Sequence, residues 1–151
     1  MDVNITDYYI GVSSLHFKLD ELNKGVNESI FAQKTSEVEE KSFSFFEEIG
    51  TYSILMPFID EDWIMNFYNR IILPIKSYDK ENNTELFVVA VKLVENDGKI
   101  KETADALFLH TNTIRYRLKK IKELLNMEDS EIGFYEQISV AIKIHKINSK
   151  Q

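Results

Sequence analysis

The chain has 151 residues, 44% of them hydrophobic, and its 18 Lys/Arg against 25 Asp/Glu give a formal net charge of -7. That length fits one ordinary domain or two small ones, with enough apolar residues to bury a core. The absence of cysteine excludes disulfides, thiolate catalysis and Cys-based zinc sites. No run approaches the roughly 18 to 20 apolar residues of a membrane span, and the N-terminus lacks a basic flank followed by an apolar stretch. A cytoplasmic protein with no membrane partner is expected.

In chain order, Tyr8 to Ser13 reads as a short strand. From Leu19 the apolar residues Leu22, Val26 and Ile30 recur at helical spacing and predict one helix to about Glu40. Ser42 to Phe46 alternates like a second strand, so the start of the chain resembles a βαβ fragment. An apolar helix is expected around Ile49 to Phe58. A further helix, capped at Asp60 and carrying Trp63, Ile64, Phe67, Tyr68 and Ile71, should end at Pro74. Ser77 to Asn83 reads as a polar linker, with a domain boundary near residue 80.

Everything after that boundary is helical in pattern. Asn83 or Thr84 should cap a helix with Leu86, Val89, Ala90, Leu93 and Val94 on one face, stopped by Asn96-Asp-Gly98. Ile100, Ala104 and Leu107 form the inner face of the next helix, where the small Ala104 permits close approach. After the turn Phe108-Leu-His110, a third helix places Ile114, Leu118, Ile121 and Leu125 on one stripe. A last helix is expected from about Glu131 to Asn148.

Charge is distributed unevenly over these elements. Residues 1–82 hold 7 Lys/Arg against 15 Asp/Glu, residues 83–127 hold 8 against 6, and residues 128–151 hold 3 against 4. Between His110 and Lys122 there are five cationic side chains and no carboxylate. Ordinary surface helices intersperse both signs, whereas a basic helix following a short turn has the layout of a helix-turn-helix entering the major groove. With the apolar stripe inward, Asn112, Tyr116, Lys119 and Lys120 project outward, with Thr113 beside them and Arg115 on a flank; Lys122 extends the cationic run. Asn reads adenine bidentately, Lys offers a point charge to phosphate or guanine, and Tyr meets the backbone. Thr111 or His110 stands at the helix start, where backbone amides hold phosphate. Arg117 falls nearer the core edge, where an ion pair to Glu102 or Asp105 competes with a DNA role.

Other chemistry finds little support. His16, His110 and His145 form no metal-binding array, and His145, which shares a face with Phe134, Ile138 and Ala141, reads as a hydrogen-bonded core histidine. The acidic runs Glu37 to Glu40 and Asp60 to Asp62 fit helix caps and solvated surface. No glycine-rich phosphate loop, nucleophile–base pair or cofactor motif occurs, so neither an enzyme nor a cofactor is expected.

The run Glu102-Thr-Ala-Asp-Ala-Leu107, followed by Leu109-His-Thr-Asn-Thr-Ile-Arg-Tyr-Arg-Leu118, closely resembles the C-terminal helix-turn-helix of the PucR/CdaR family of bacterial transcription regulators. Thr103, Ala104, Leu107, His110, Asn112, Thr113, Tyr116, Arg117 and Leu118 match the family signature. Thr111 stands where the family usually has Arg, which removes one phosphate or base contact. More weakly, the N-terminal part resembles the end of the GGDEF-like domain that precedes the helix-turn-helix in this family. The resemblance implies a truncated regulator without its effector-sensing region, so no effector is assigned.

The sequence therefore predicts a mainly α protein: a small α+β, GGDEF-like remnant and linker over residues 1–80, and a PucR-type DNA-binding domain over residues 81–151. The expected function is sequence-specific binding of double-stranded DNA by a transcriptional regulator. The rival is an interaction module whose cationic helix docks on an acidic protein. A homodimer is also expected, because Val140, Ile144 and Ile147 carry the apolar arc of the last helix beyond the face of Phe134, Ile138, Ala141 and Ile142.

Overall fold

Ile10–Val12 (β1) and Phe43–Phe45 (β2) pair in parallel, with Ile10 opposite Phe43 and Val12 opposite Phe45. A parallel pair needs a crossover connection, and α1 (Leu22–Val38) supplies it. Gly11 makes the close packing possible. A Cβ there would lie 2.0 Å from the Ser29 carbonyl oxygen and 2.2 Å from the Gln33 nitrogen, both backbone atoms of α1. The computed structural model describes residues 8–150. These divide into two units, one comprising the residues up to Glu61 together with those from Lys146 onward, the other Asp62–His145.

In the first unit the periodic stripe of α1 forms the expected helix but faces solvent: Leu22, Val26 and Ile30 are 65%, 47% and 42% exposed. The buried face carries Glu28, Ala32, Thr35, Ser36 and Val38 instead, and its polar members are satisfied. Thr35 Oγ1 donates to the Phe31 carbonyl at 2.8 Å and Ser36 Oγ to the Ile10 carbonyl at 3.0 Å. The Glu28 carboxylate accepts the Ser14 amide at 3.0 Å and meets His16 Nε2 at 2.9 Å. Burial pushes the Glu28 carboxyl upward, but the His16 and Ser14 bonds outweigh it and hold the group below its ordinary value.

The helix expected over Ile49 to Phe58 is broken into α2 (Tyr52–Leu55), flanked by 3-10 turns at Phe46–Glu48 and Met56–Phe58. Gly50, at φ +55°, and Pro57, in the second turn, account for the interruptions. Tyr52 donates to Glu39, whose carboxylate also meets Lys146 Nζ at 3.3 Å.

In the second unit α3 (Asp62–Asn82) runs straight through Pro74 and through most of the segment expected to be a linker. A proline inside a helix costs about 3 kcal/mol. Ile71, Ile72 and Ile75 around it are at most 2% exposed, and burying each is worth roughly 1.5–3 kcal/mol. Tertiary burial therefore wins over the local break.

The next helix, α4 (Leu86–Glu95), receives no side-chain cap from its own N-cap residue, Glu85. Its first amides, those of Leu86 and Phe87, donate to the two carboxylate oxygens of Asp79 in α3 at 2.7 and 2.8 Å. Thr84, expected as the cap, donates its hydroxyl to the same carboxylate at 2.6 Å. Then follow α5 (Ile100–Ala106), α6 (Thr111–Leu125) and α7 (Glu131–Ser149). Helix α6 packs against α3, α4 and α5 around a core that includes Leu93, Ala104, Phe134 and Ile138.

Five helix ends share one device. Glu40, Asn83, Asp97, Phe108 and Asn126 lie at φ between +50° and +54°, and in each case the following amide bonds back five residues to a carbonyl of the helix (Lys41 to Ser36, Thr84 to Asp79, Gly98 to Leu93, Leu109 to Ala104, Met127 to Lys122). This is the Schellman arrangement, which satisfies carbonyls left over at a helix end.

Most apolar residues of α7 are buried. Ile144 and Ile147 are 0% and 3% exposed within the single chain, and Val140 is half-buried. Among the described residues no helix is long and apolar enough to cross a membrane. The described residues are mainly α with one two-stranded sheet.

Candidate nucleic-acid interface

Helices α5 and α6 meet across the short turn at residues 107–110. Thr103 and Ala104, on the inner face of α5, are 0% and 1% exposed, and the Thr103 hydroxyl donates back to the Lys99 carbonyl at 2.8 Å. At the start of α6, His110 is the N-cap, its Nδ1 accepting the Asn112 amide at 3.2 Å. Histidine here does what Ser, Asp or Asn does at other helix starts. The rotation of α6 is set by Ile114, Leu118 and Ile121, all at most 5% exposed.

That rotation sorts the residues named from sequence into three groups. Asn112, Arg115, Tyr116 and Lys119 are exposed, with Thr111 and Thr113 half-buried at the same end of the helix. Arg115 Nη1 donates to Asn112 Oδ1 at 3.1 Å, which joins the two in one patch and orients the amide. Lys120 and Lys122 are tied back onto the protein. Lys120 meets Glu123 at 3.2 Å and lies 5.2 Å from the Tyr78 ring; the Glu123 bond raises its pKa. Lys122 meets Glu131 at 2.5 Å and lies 5.1 Å from the Phe134 ring centre, with 15% of its side chain exposed.

Arg117 is the third case. It is 21% exposed and pairs with Glu85 at 3.5 Å, not with Glu102 or Asp105. The expected partners sit on the outward face of α5, whereas Arg117 points along the α4 side of α6, where Glu85 holds the N-cap position. Glu85 was not legible as a partner because it precedes Arg117 by a whole helix-turn-helix unit. The Asp79 cap and the Tyr78 ring both lie inside the segment expected to be a linker, where the sequence predicts no helix to present them.

His145 is the hydrogen-bonded histidine that the sequence suggests, with Tyr68 as its partner: Tyr68 Oη and His145 Nδ1 are 3.0 Å apart. Its ring stacks on Tyr68 and meets the edge of Phe87. Burial, with a smaller contribution from the Lys76 charge, pushes the imidazole below its ordinary pKa. Among the described residues no group of three or more His, Asp or Glu is placed to hold a metal.

Residues 89–144 match the PucR C-terminal helix-turn-helix domain. The chain is 28% identical over 144 residues to the proline-responsive transcriptional activator PutR of Bacillus subtilis (strain 168), covering 93% of this chain and 35% of that protein. It is 22% identical over 147 residues to the DNA-binding transcriptional activator AdeR of the same organism, covering 95% and 35%. A purine catabolism regulatory protein from that organism is 24% identical over 141 residues, covering 92% and 26%. The chain thus spans about a third or less of the length of these curated relatives. No solved structure matches it. The matched segment runs from α4 into α7 and contains α5 and α6, so this part of the chain is similar to the PucR C-terminal helix-turn-helix domain.

Proposed function

We propose that this chain supplies the DNA-binding function of a transcriptional regulator, with α6 lying in the major groove of double-stranded DNA. The observation that carries this reading is the patch of Asn112, Arg115, Tyr116 and Lys119, exposed together on the second helix of a helix-turn-helix. The relatives support it, two being named transcriptional activators and one of those DNA-binding. Asn112 is the base reader, oriented by Arg115, while Lys119 and Tyr116 meet the backbone and Thr111 and Thr113 flank the groove. Lys120 and Lys122 take part only if phosphate displaces Glu123 and Glu131. His110 and Arg117 act by positioning α6.

The DNA-binding residues all lie beyond residue 80. The unit that carries them begins earlier, at Asp62, because α3 gives Ile71, Ile72 and Ile75 to its core. We read the β1–α1–β2 unit as GGDEF-like, on the strength of its parallel strands joined by a helix. Binding is proposed to be two-fold symmetric, with recognition helices about 34 to 36 Å apart.

The test is selection of duplexes from a random pool, followed by titration of variants. Asn112→Ala should cost about 1–3 kcal/mol on the selected duplex and little on a scrambled one. Lys119→Ala should weaken both and lower the salt slope by about 1. An equal loss on both duplexes for Asn112→Ala would remove it from base reading.

A further inference from the structure

Phe108 is the exception among the five left-handed helix ends. At the other four, the residue in the left-handed conformation is Glu40, Asn83, Asp97 or Asn126, all polar side chains that water solvates. Asn and Asp also tolerate this region best after glycine. Position 108 holds a phenylalanine at φ +54° whose side chain is 96% exposed. The fold gains nothing from the ring: the turn is closed by backbone bonds from Phe108 N to the Asp105 carbonyl (3.2 Å) and from Leu109 N to the Ala104 carbonyl (2.9 Å). The apolar contact that accompanies such an end is left to Leu109, which packs against the core. Glycine or asparagine would make the same turn with less strain and no exposed aromatic surface.

A residue that costs the fold on two counts is explained by a contact made outside it. The ring sits where such a contact is available. Phe108 precedes the N-cap of α6 by two residues, so its Cα lies within roughly 7 Å of that of His110 even in a fully extended chain. The N-terminal end of a recognition helix is the part that approaches the bases.

Resting on the DNA reading above, we infer that Phe108 is a further DNA-contacting residue, laying its ring against apolar surface of the duplex at the edge of the groove that α6 enters. Two apolar surfaces are present there, the deoxyribose carbons and the thymine methyl group. The ring contributes no charge, so its contact adds affinity without releasing counterions.

Measurements on the whole chain test this, with the selected duplex as the binding probe. Phe108→Gly is expected to melt at the same temperature as the parent or higher, since it relieves a strained position, yet to bind about five- to tenfold more weakly with an unchanged salt slope. Phe108→Trp, which restores an aromatic face, is expected to recover most of the affinity. Replacing thymine by deoxyuridine across the duplex assigns the contact: a matching loss confined to the Phe108 protein identifies the methyl group, and no loss identifies the sugar. If Phe108→Gly binds like the parent, the inference is wrong, and loss of transcriptional activity at undiminished DNA affinity would assign the ring to a protein contact instead. A parent chain that binds no duplex overturns the DNA reading, and this inference with it.

Discussion

Helices α1 and α6 carry the same signal and use it in opposite ways. In α6, Ile114, Leu118 and Ile121 recur at steps of four and three and are 0%, 5% and 0% exposed. In α1, Leu22, Val26 and Ile30 recur at steps of four and are at least 42% exposed, while Glu28, Thr35 and Ser36 are buried. Helix α6 is met by α3, α4 and α5, while α1 is met by β1, β2 and α2. Apolar periodicity thus identifies a helix and names its stripe. Which way the stripe turns is settled by the surfaces the rest of the chain brings to it. Polar residues take the inward face of α1 because each finds a partner there: a carbonyl for Thr35 and for Ser36, an amide and an imidazole for Glu28.

Matched substitutions put this contrast to the test. The largest effect is expected from Ile121→Ala in α6, which empties a fully buried site and should cost about 2–5 kcal/mol in urea unfolding; a loss below about 1 kcal/mol would mean that the stripe of α6 is no better packed than that of α1. Asp79→Ala removes the acceptor for two first-turn amides of α4, and a loss of about 1–3 kcal/mol is expected. Asp79→Asn should keep part of it.

Acid should separate the two units without any mutation. Because the His145 imidazole is held below its ordinary value of about 6.5, the unfolded chain takes up that proton first. Stability of the second unit therefore falls as the pH drops from neutral through and below that value. Glu28 in the first unit is a carboxyl held low, so its contribution persists above the ordinary carboxylate range and disappears only as the pH falls through the lowered value. Thermal melts across this range should show the upper limb flattened by His145→Phe and the lower limb by Glu28→Gln. The smallest effect belongs to Ile30→Ala, which should stay within about 0.5 kcal/mol of the parent. A cost as large as that of Ile121→Ala would end the comparison.

Local signals were sufficient for a good part of this protein. The order of most elements, the stop at Asn96-Asp-Gly98, the turn before α6 and the outward positions of Asn112, Tyr116 and Lys119 follow from propensity, capping chemistry and a 100° helical step, all of which act over a few residues. Tertiary structure decided the rest. It carried α3 through Pro74, because buried isoleucines outweigh one lost hydrogen bond. It gave the start of α4 a cap from Asp79 and Arg117 a partner in Glu85, and drew Lys122 back onto Glu131. Most of these outcomes depend on groups from different helices meeting in space. The energy of such a meeting exceeds a local preference, and the distance along the chain hides it from any short window of sequence.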